Sequence, residues 1–177
     1  MKVIAVLVAA FVAFAGCGAD TGPGTGPVNA DDVMFLQMMI PHHKQGVELA
    51  RLTRQRAGNE ELRTLAAAIE STQSGEVATM GRWLQEWEQP LAAPSDAHGG
   101  HDVPETDKEQ IAALRGSTRF DRDALNLLIA HQDDAVQLAY KEGFAGANPE
   151  VKAWAKQVEQ SRKEQVRIML DLLKKVP

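Results

Sequence analysis

Met39-Ile40-Pro41-His42-His43 in the first half of the chain lines up with Leu128-Ile129-Ala130-His131-Gln132 in the second, at an offset of 89 residues. The same offset carries residues 32–84 onto 121–173 without a gap. Identical pairs run the whole way: Asp32/Asp121, Ile40/Ile129, His42/His131, Val47/Val136, Ala50/Ala139, Asn59/Asn148, Glu61/Glu150, Glu70/Glu159, Met80/Met169 and Leu84/Leu173. A repeat this regular implies two copies of one supersecondary unit that bury a shared core.

Each copy has helical periodicity. In the first, Phe35, Leu36, Met39, Ile40, Val47 and Ala50 recur at helical spacing, and so do Leu62, Leu65, Ile69, Val77, Met80, Leu84 and Trp87. The spacing predicts helices over residues 32–56 and 61–88, the first capped by Asp31 or Asp32 and the second ended by Pro90. The second copy predicts helices over 121–144 and 149–175, with Pro149 in the first turn, where its missing N–H does no harm. Pro41 falls opposite the apolar stripe and can bend its helix outward without breaking it. Short turns make each copy an antiparallel hairpin. The link between copies is long and holds a short helix over 107–114, capped by Thr106 or Asp107. The predicted fold is all-α: a ferritin-like four-helix bundle of two hairpins joined by a long crossover.

Outside the repeat, Lys2 precedes an apolar run from Val3 to Ala15 that is short for a membrane span and reads as a secretory signal. Ala15-Gly16-Cys17 closes it and resembles a bacterial lipobox, with Cys17 as the lipidated residue; an ordinary signal cleaved nearby is the alternative. Cys17 is the only cysteine, so the fold stands without an internal disulfide. Residues 18–30, rich in Gly, Pro and Thr, read as a flexible tether. The organisation is therefore signal 1–17, tether 18–30 and bundle 31–177, in an exported lipoprotein on the outer face of the cell membrane or in the envelope. Its only membrane contact is the lipid anchor. A net charge of −5 argues against nucleic acid as a partner.

Several polar residues occupy core positions. His43 lies within the apolar stripe of the first helix, and His42 on its flank. Glu76 and Gln73 lie within the stripe of the second. Buried polar groups cost free energy unless paired or ligating. Hairpin geometry sets Met39, His43, Gln73, Glu76 and Met80 at one level. Imidazole plus thioether suits copper(I) or silver(I), with copper(II) or zinc possible if Glu76 or both histidines join. Read structurally, Met39 and Met80 are core filler and His43 is a buried partner of Glu76. In the second copy Gln132 replaces His43, Arg162 replaces Gln73, Gln165 replaces Glu76 and Leu128 replaces Met39. Only His131 and Met169 remain there, so the first copy is the candidate binder. His98 and His101, in the central link, form a His-x-x-His pair able to hold copper(II) or zinc weakly.

Phe35-x-x-x-Met39-Ile40-x-His42-His43, the companion Gln73-x-x-Glu76-x-x-x-Met80 before Trp83-Leu84, and Phe120-Asp121 with Ile129-x-His131 together resemble the bacterial "domain of unknown function 305" family. The resemblance spans residues 31–173. It implies an exported ferritin-like bundle, with some members linked to copper or silver, and carries over His42, His43, Glu76, Met80 and His131. Two departures stand out. The family's second His-His is His131-Gln132 here, and its Met-rich central stretch is Ala97-His98-Gly99-Gly100-His101-Asp102.

The expected function is a tethered bundle that binds copper-like ions outside the cytoplasm, buffering or passing them on. The alternative is a structural or interaction module of the envelope whose polar layer fixes helix register. A ferritin-like oxidase ranks last, because the di-iron motif Glu-x-x-His occurs nowhere in the sequence. No nucleophile arrangement or phosphate loop stands out, and the chain is not expected to be an enzyme.

Overall fold

The computed structural model describes residues 26–92 and 108–176. Cys17, His98, His101, Thr106 and Asp107 lie outside the described residues, as does all of the predicted tether before Gly26.

The helices are α1 (Ala30–Arg56), α2 (Glu60–Glu86), α3 (Lys108–Leu114), α4 (Phe120–Ala145) and α5 (Pro149–Leu173). No strand occurs among the described residues. α1 pairs with α2 and α4 with α5, and the two hairpins join chiefly through α1 against α4; α2 and α5 meet at few points. This is the bundle of two hairpins that the repeat predicts. α1 runs unbroken through Pro41, which is half-buried.

The start of α1 corrects the expected cap. Asn29, not Asp31 or Asp32, is the N-cap. Its side chain accepts from the Asp32 N–H at 2.9 Å, and the Asp32 carboxylate accepts from the Asn29 N–H at 2.7 Å. Two otherwise orphaned donors are thus satisfied reciprocally. α2 stops short of Pro90. Glu88, at φ 55, takes the left-handed conformation, the Glu88 N–H donates to Gln85 O, and the Gln89 N–H donates to Leu84 O. That is a Schellman ending built without glycine. Since α2 ends beside the start of α1, where Gln37 Nε2 donates to Pro90 O, the link to α4 travels the length of the bundle. A helix of this size spans roughly 40 Å.

The core has two apolar clusters. One holds Leu49, Leu52, Leu62, Ile69, Leu125, Leu128 and Met169 with Ile111 and Leu114 of α3. The other holds Phe35, Leu36, Met39, Met80, Leu84, Leu138 and Val158, flanked by Trp83, Trp87 and Trp154. Met80 and Met169 occupy equivalent places in the repeat, yet belong to different clusters. The internal two-fold exchanges the clusters, and a polar layer lies between them.

Candidate functional site

That layer is built from all four long helices. α1 supplies His42 and His43, α2 Gln73 and Glu76, α4 His131 and Gln132, and α5 Arg162 and Gln165. His42, His43, Gln73, His131, Gln132 and Arg162 have no solvent exposure at all. Room for them comes from Gly46. A Cβ at that position would sit 2.0 Å from Gln73 Oε1 and 2.2 Å from His131 Nε2. Only a glycine lets α1 approach these groups so closely.

His42 and His131, equivalents in the repeat, stack face to face with ring centroids 3.9 Å apart and 11° between planes. The pseudo-two-fold axis passes between them. Around it the copies differ. In copy one, His43 Nε2 lies 2.9 Å from Glu76 Oε2, at the level the hairpin register predicts. With His43 neutral, this is a hydrogen bond from the imidazole N–H to the carboxylate, though not a well-aligned one. In copy two the equivalent pair is neutral, with Gln132 Nε2 donating to Gln165 Oε1 at 2.6 Å. Gln73 Nε2 donates to Gln132 Oε1 at 3.1 Å, linking the hairpins.

Arg162 crosses the layer. Its guanidinium donates to Glu76 Oε2 and forms an ion pair with it. Arginine at the place of Gln73 is therefore more than a lost ligand: it is a permanent buried cation. It occupies the centre of a stripe Val151, Ala155, Val158, Arg162, Met169, Leu172, all buried. That spacing marks it as a core residue in the sequence itself.

The electrostatics follow from burial. Desolvation drives His42 well below the usual histidine range, helped by the charges of His131, His43 and Arg162 and opposed by a backbone contact with His131. It brings His131 down to about 3, again with His43 and Arg162 contributing. His43 is lowered by burial and then by Arg162, with Glu76 pulling the other way. Burial pushes Glu76 up, but its contacts with His43 and Arg162 outweigh this and hold it below the usual carboxylate range. At neutral pH the layer holds three neutral imidazoles, one carboxylate and one guanidinium. Its formal charge is zero.

The expected single ligand level divides in two. His42, His43, Gln73 and Glu76 share the polar layer. Met39 and Met80 are fully buried one turn away in an apolar cluster, because side chains four residues apart on a helix sit about 6 Å apart along its axis. Met169 lies on the opposite side, in the other cluster. Among the described residues no three His, Cys, Asp or Glu side chains converge as a metal cage. The stacked rings of His42 and His131 hold their lone pairs in parallel planes, so they do not chelate one point. The rings of His42 and His43 are 5.9 Å apart and inclined at 52°. Neither nitrogen of buried His42 has a well-aligned hydrogen-bond partner. Neutral imidazoles in a layer that holds no unpaired carboxylate fit a soft ion of low coordination number better than a hard dication.

The sequence reading missed a second buried group. Glu142, 2% exposed, has neither carboxylate oxygen hydrogen-bonded to an N–H donor. It packs under Gly146 and beside Asp32. Desolvation pushes it up to about 8, with Asp32 and Asp31 raising it further and Lys152 opposing. Its equivalent in copy one is Thr53, which closes a bond to its own helix at Leu49 O.

Two hairpins packed side by side make this an all-α four-helix bundle. The chain belongs to the DUF305 family, "Domain of unknown function (DUF305)", whose model matches residues 32–173. A DUF305 fragment from Deinococcus radiodurans is 26% identical, with TM-score 0.74 over 85% of this chain and 99% of that one. A DUF305 protein from Streptomyces coelicolor is 27% identical, with TM-score 0.76 over 82% and 93%. CopM in its Cu(I)-bound form is 26% identical, with TM-score 0.70 over 81% and 96%. CopM is also similar to this chain in its Cu(II)-bound and Ag-bound forms. No curated protein matches the sequence.

Proposed function

We propose that this chain binds a soft monovalent ion of the copper or silver type in the polar layer, outside the cytoplasm, tethered through Cys17. It buffers the ion or passes it on. His42 and His43 are the primary donors, Met39 and Met80 line the apolar side one turn away, and Glu76 stays paired with Arg162. The observation that carries the reading is His42: a fully buried, neutral imidazole with no well-aligned hydrogen bond at either ring nitrogen, only the backbone of His131 lying near enough to raise its basicity slightly. Leaving such polar atoms unmet is costly, and a ligand that takes the free lone pair offsets the cost. The likeness to CopM, bound to Cu(I), Cu(II) and Ag, supports the same chemistry. Zinc or copper(II) would need a further hard donor.

A second reading is favoured by the contacts of His43, Glu76 and Arg162 and by the Gln73–Gln132–Gln165 chain. These groups satisfy much of the layer internally, so it could serve only to fix helix register. Titration of the domain lacking Met1–Cys17 with Ag(I), or with Cu(I) under reductant, separates the two. A ligand that binds only the folded state raises the unfolding midpoint with concentration. His43→Ala should weaken that response while Gln132→Ala leaves it largely intact. A wild-type midpoint that stays fixed well above micromolar ion leaves the register-fixing role.

A further inference from the structure

The second copy departs from the first at two charged or chargeable positions of the layer. Arg162 stands where copy one has Gln73, and Gln165 where copy one has Glu76. Both changes move the layer toward positive charge. A layer that kept the copy-one residues at these places would carry two carboxylates and no guanidinium. The actual layer carries one of each, and its net charge is zero.

We propose that Arg162 sets the ionic charge this layer accepts, admitting monovalent cations and rejecting divalent ones. The inference rests on the reading of the layer as an ion site. Arg162 has no solvent exposure, so water screens it poorly. Its charge is felt by His42, His43 and His131 alike. It cannot be discharged by losing a proton. Glu76 is its direct partner, so the one carboxylate of the layer is already neutralised. At His42 and His131 the field of Arg162 is felt with no offset from Glu76, unlike at His43, so an ion held by those two imidazoles meets a repulsion that grows with its charge. Coulomb energy is proportional to the ion's charge, so the guanidinium repels a dication twice as strongly as a monocation at the same place. A free-energy ratio of two is a square in binding constants.

That square makes the test quantitative. Arg162→Gln and Gln165→Glu each install the side chain that the other copy already carries at that register. The first removes the buried cation; the second adds a carboxylate and leaves Arg162 in place. The domain without Met1–Cys17 is titrated with Ag(I) and separately with Zn(II), with affinity read by calorimetry and by the shift in unfolding midpoint. If either variant tightens Ag(I) about 5-fold, Zn(II) should tighten about 25-fold. Arg162→Lys, which keeps the charge, should keep wild-type selectivity. Equal factors for the two ions, or no change in either while wild type still binds Ag(I), overturn the proposal. Should Arg162→Gln fail to fold, Arg162→Leu, which also removes the cation and fits the apolar stripe of α5, carries the same test. Absence of Ag(I) binding to wild type and to both variants removes the ion site itself, and the selectivity role with it, which is a different result from binding without selectivity.

Discussion

Asp32 and Asp121, 89 residues apart, each brace the turn of the other's hairpin. Asp32 at the start of α1 accepts from the N–H groups of Ala147 at 3.1 Å and Asn148 at 2.9 Å. Asp121 at the start of α4 accepts from those of Gly58 at 2.8 Å and Asn59 at 2.7 Å. Both turns run directly into Asn caps, Asn59 for α2 and Asn148 for α5. The exchange ties each end of the bundle across the two copies and sets α1 antiparallel to α4.

Removing either brace should loosen one end of the bundle. Hydrogen bonds to a charged acceptor contribute about 1.5–3 kcal/mol each. Asp121→Ala should cost about 2–4 kcal/mol in denaturant unfolding. Asp32→Ala, which also breaks the capping box at Asn29, should cost at least as much. Values within about 0.5 kcal/mol of wild type would show that the braces are dispensable.

Stability should have two opposed pH slopes. The three buried histidines are neutral in the folded state, while the unfolded chain takes up protons near pH 6.5. Stability from this source is lost as pH falls below about 6.5. Glu142 acts the other way: raised from 4.5 to about 8, it keeps in the folded state a proton the unfolded chain has released. Its contribution is full below about pH 4.5 and is lost as pH rises to about 8. Between pH 6.5 and 8 the Glu142 slope stands alone, and Glu142→Gln should flatten it. Unfolding midpoints measured across that window check the sign.

Two glycines predict opposite outcomes for the same change. Gly46→Ala drives a methyl into Gln73 and His131 and should destabilise by about 1–3 kcal/mol, against a helix-propensity gain of about 1. Gly75, exposed within α2, has nothing within 4 Å of an added Cβ. Gly75→Ala should stabilise by about 0.5–1 kcal/mol. Thermal unfolding of the two variants side by side decides it.

Anchoring is tested by fractionation. Cys17→Ser should move the protein from the membrane fraction to the soluble exported fraction, since Cys17 closes the apolar run after Ala15-Gly16. Among the described residues no helix is long and apolar enough to cross a membrane. Unchanged detergent partitioning would rule out lipidation at Cys17.

The repeat made the two hairpins, the short turns and the long crossover legible, because periodicity and punctuation are local properties of sequence. The level of His43 and Glu76 was legible too, since hairpin register follows from the turn. What escaped was contact between hairpins. Arg162 read as a ligand lost from copy two, and only the packing of α5 shows it pairing with Glu76 of α2. Asp32 read as a cap of its own helix, while its further partners are 115 and 116 residues away. Hairpin register alone sets Met39 and Met80 at the histidine level, but a single turn of rise separates the polar layer from the apolar cluster that holds them. Glu142 does carry a sequence signal, since it continues the buried spacing of Ala135, Leu138 and Ala139.

The stacked pair of His42 and His131 marks an axis that the rest of the layer does not obey. Had the same bundle been assembled from two separate copies of one hairpin, every core side chain would appear twice. A guanidinium would then face a second guanidinium across the axis, and a carboxylate a second carboxylate. Joining the copies in one chain removes that constraint. One half can hold the acid and the other the base, so a symmetric scaffold acquires a polar centre with a direction.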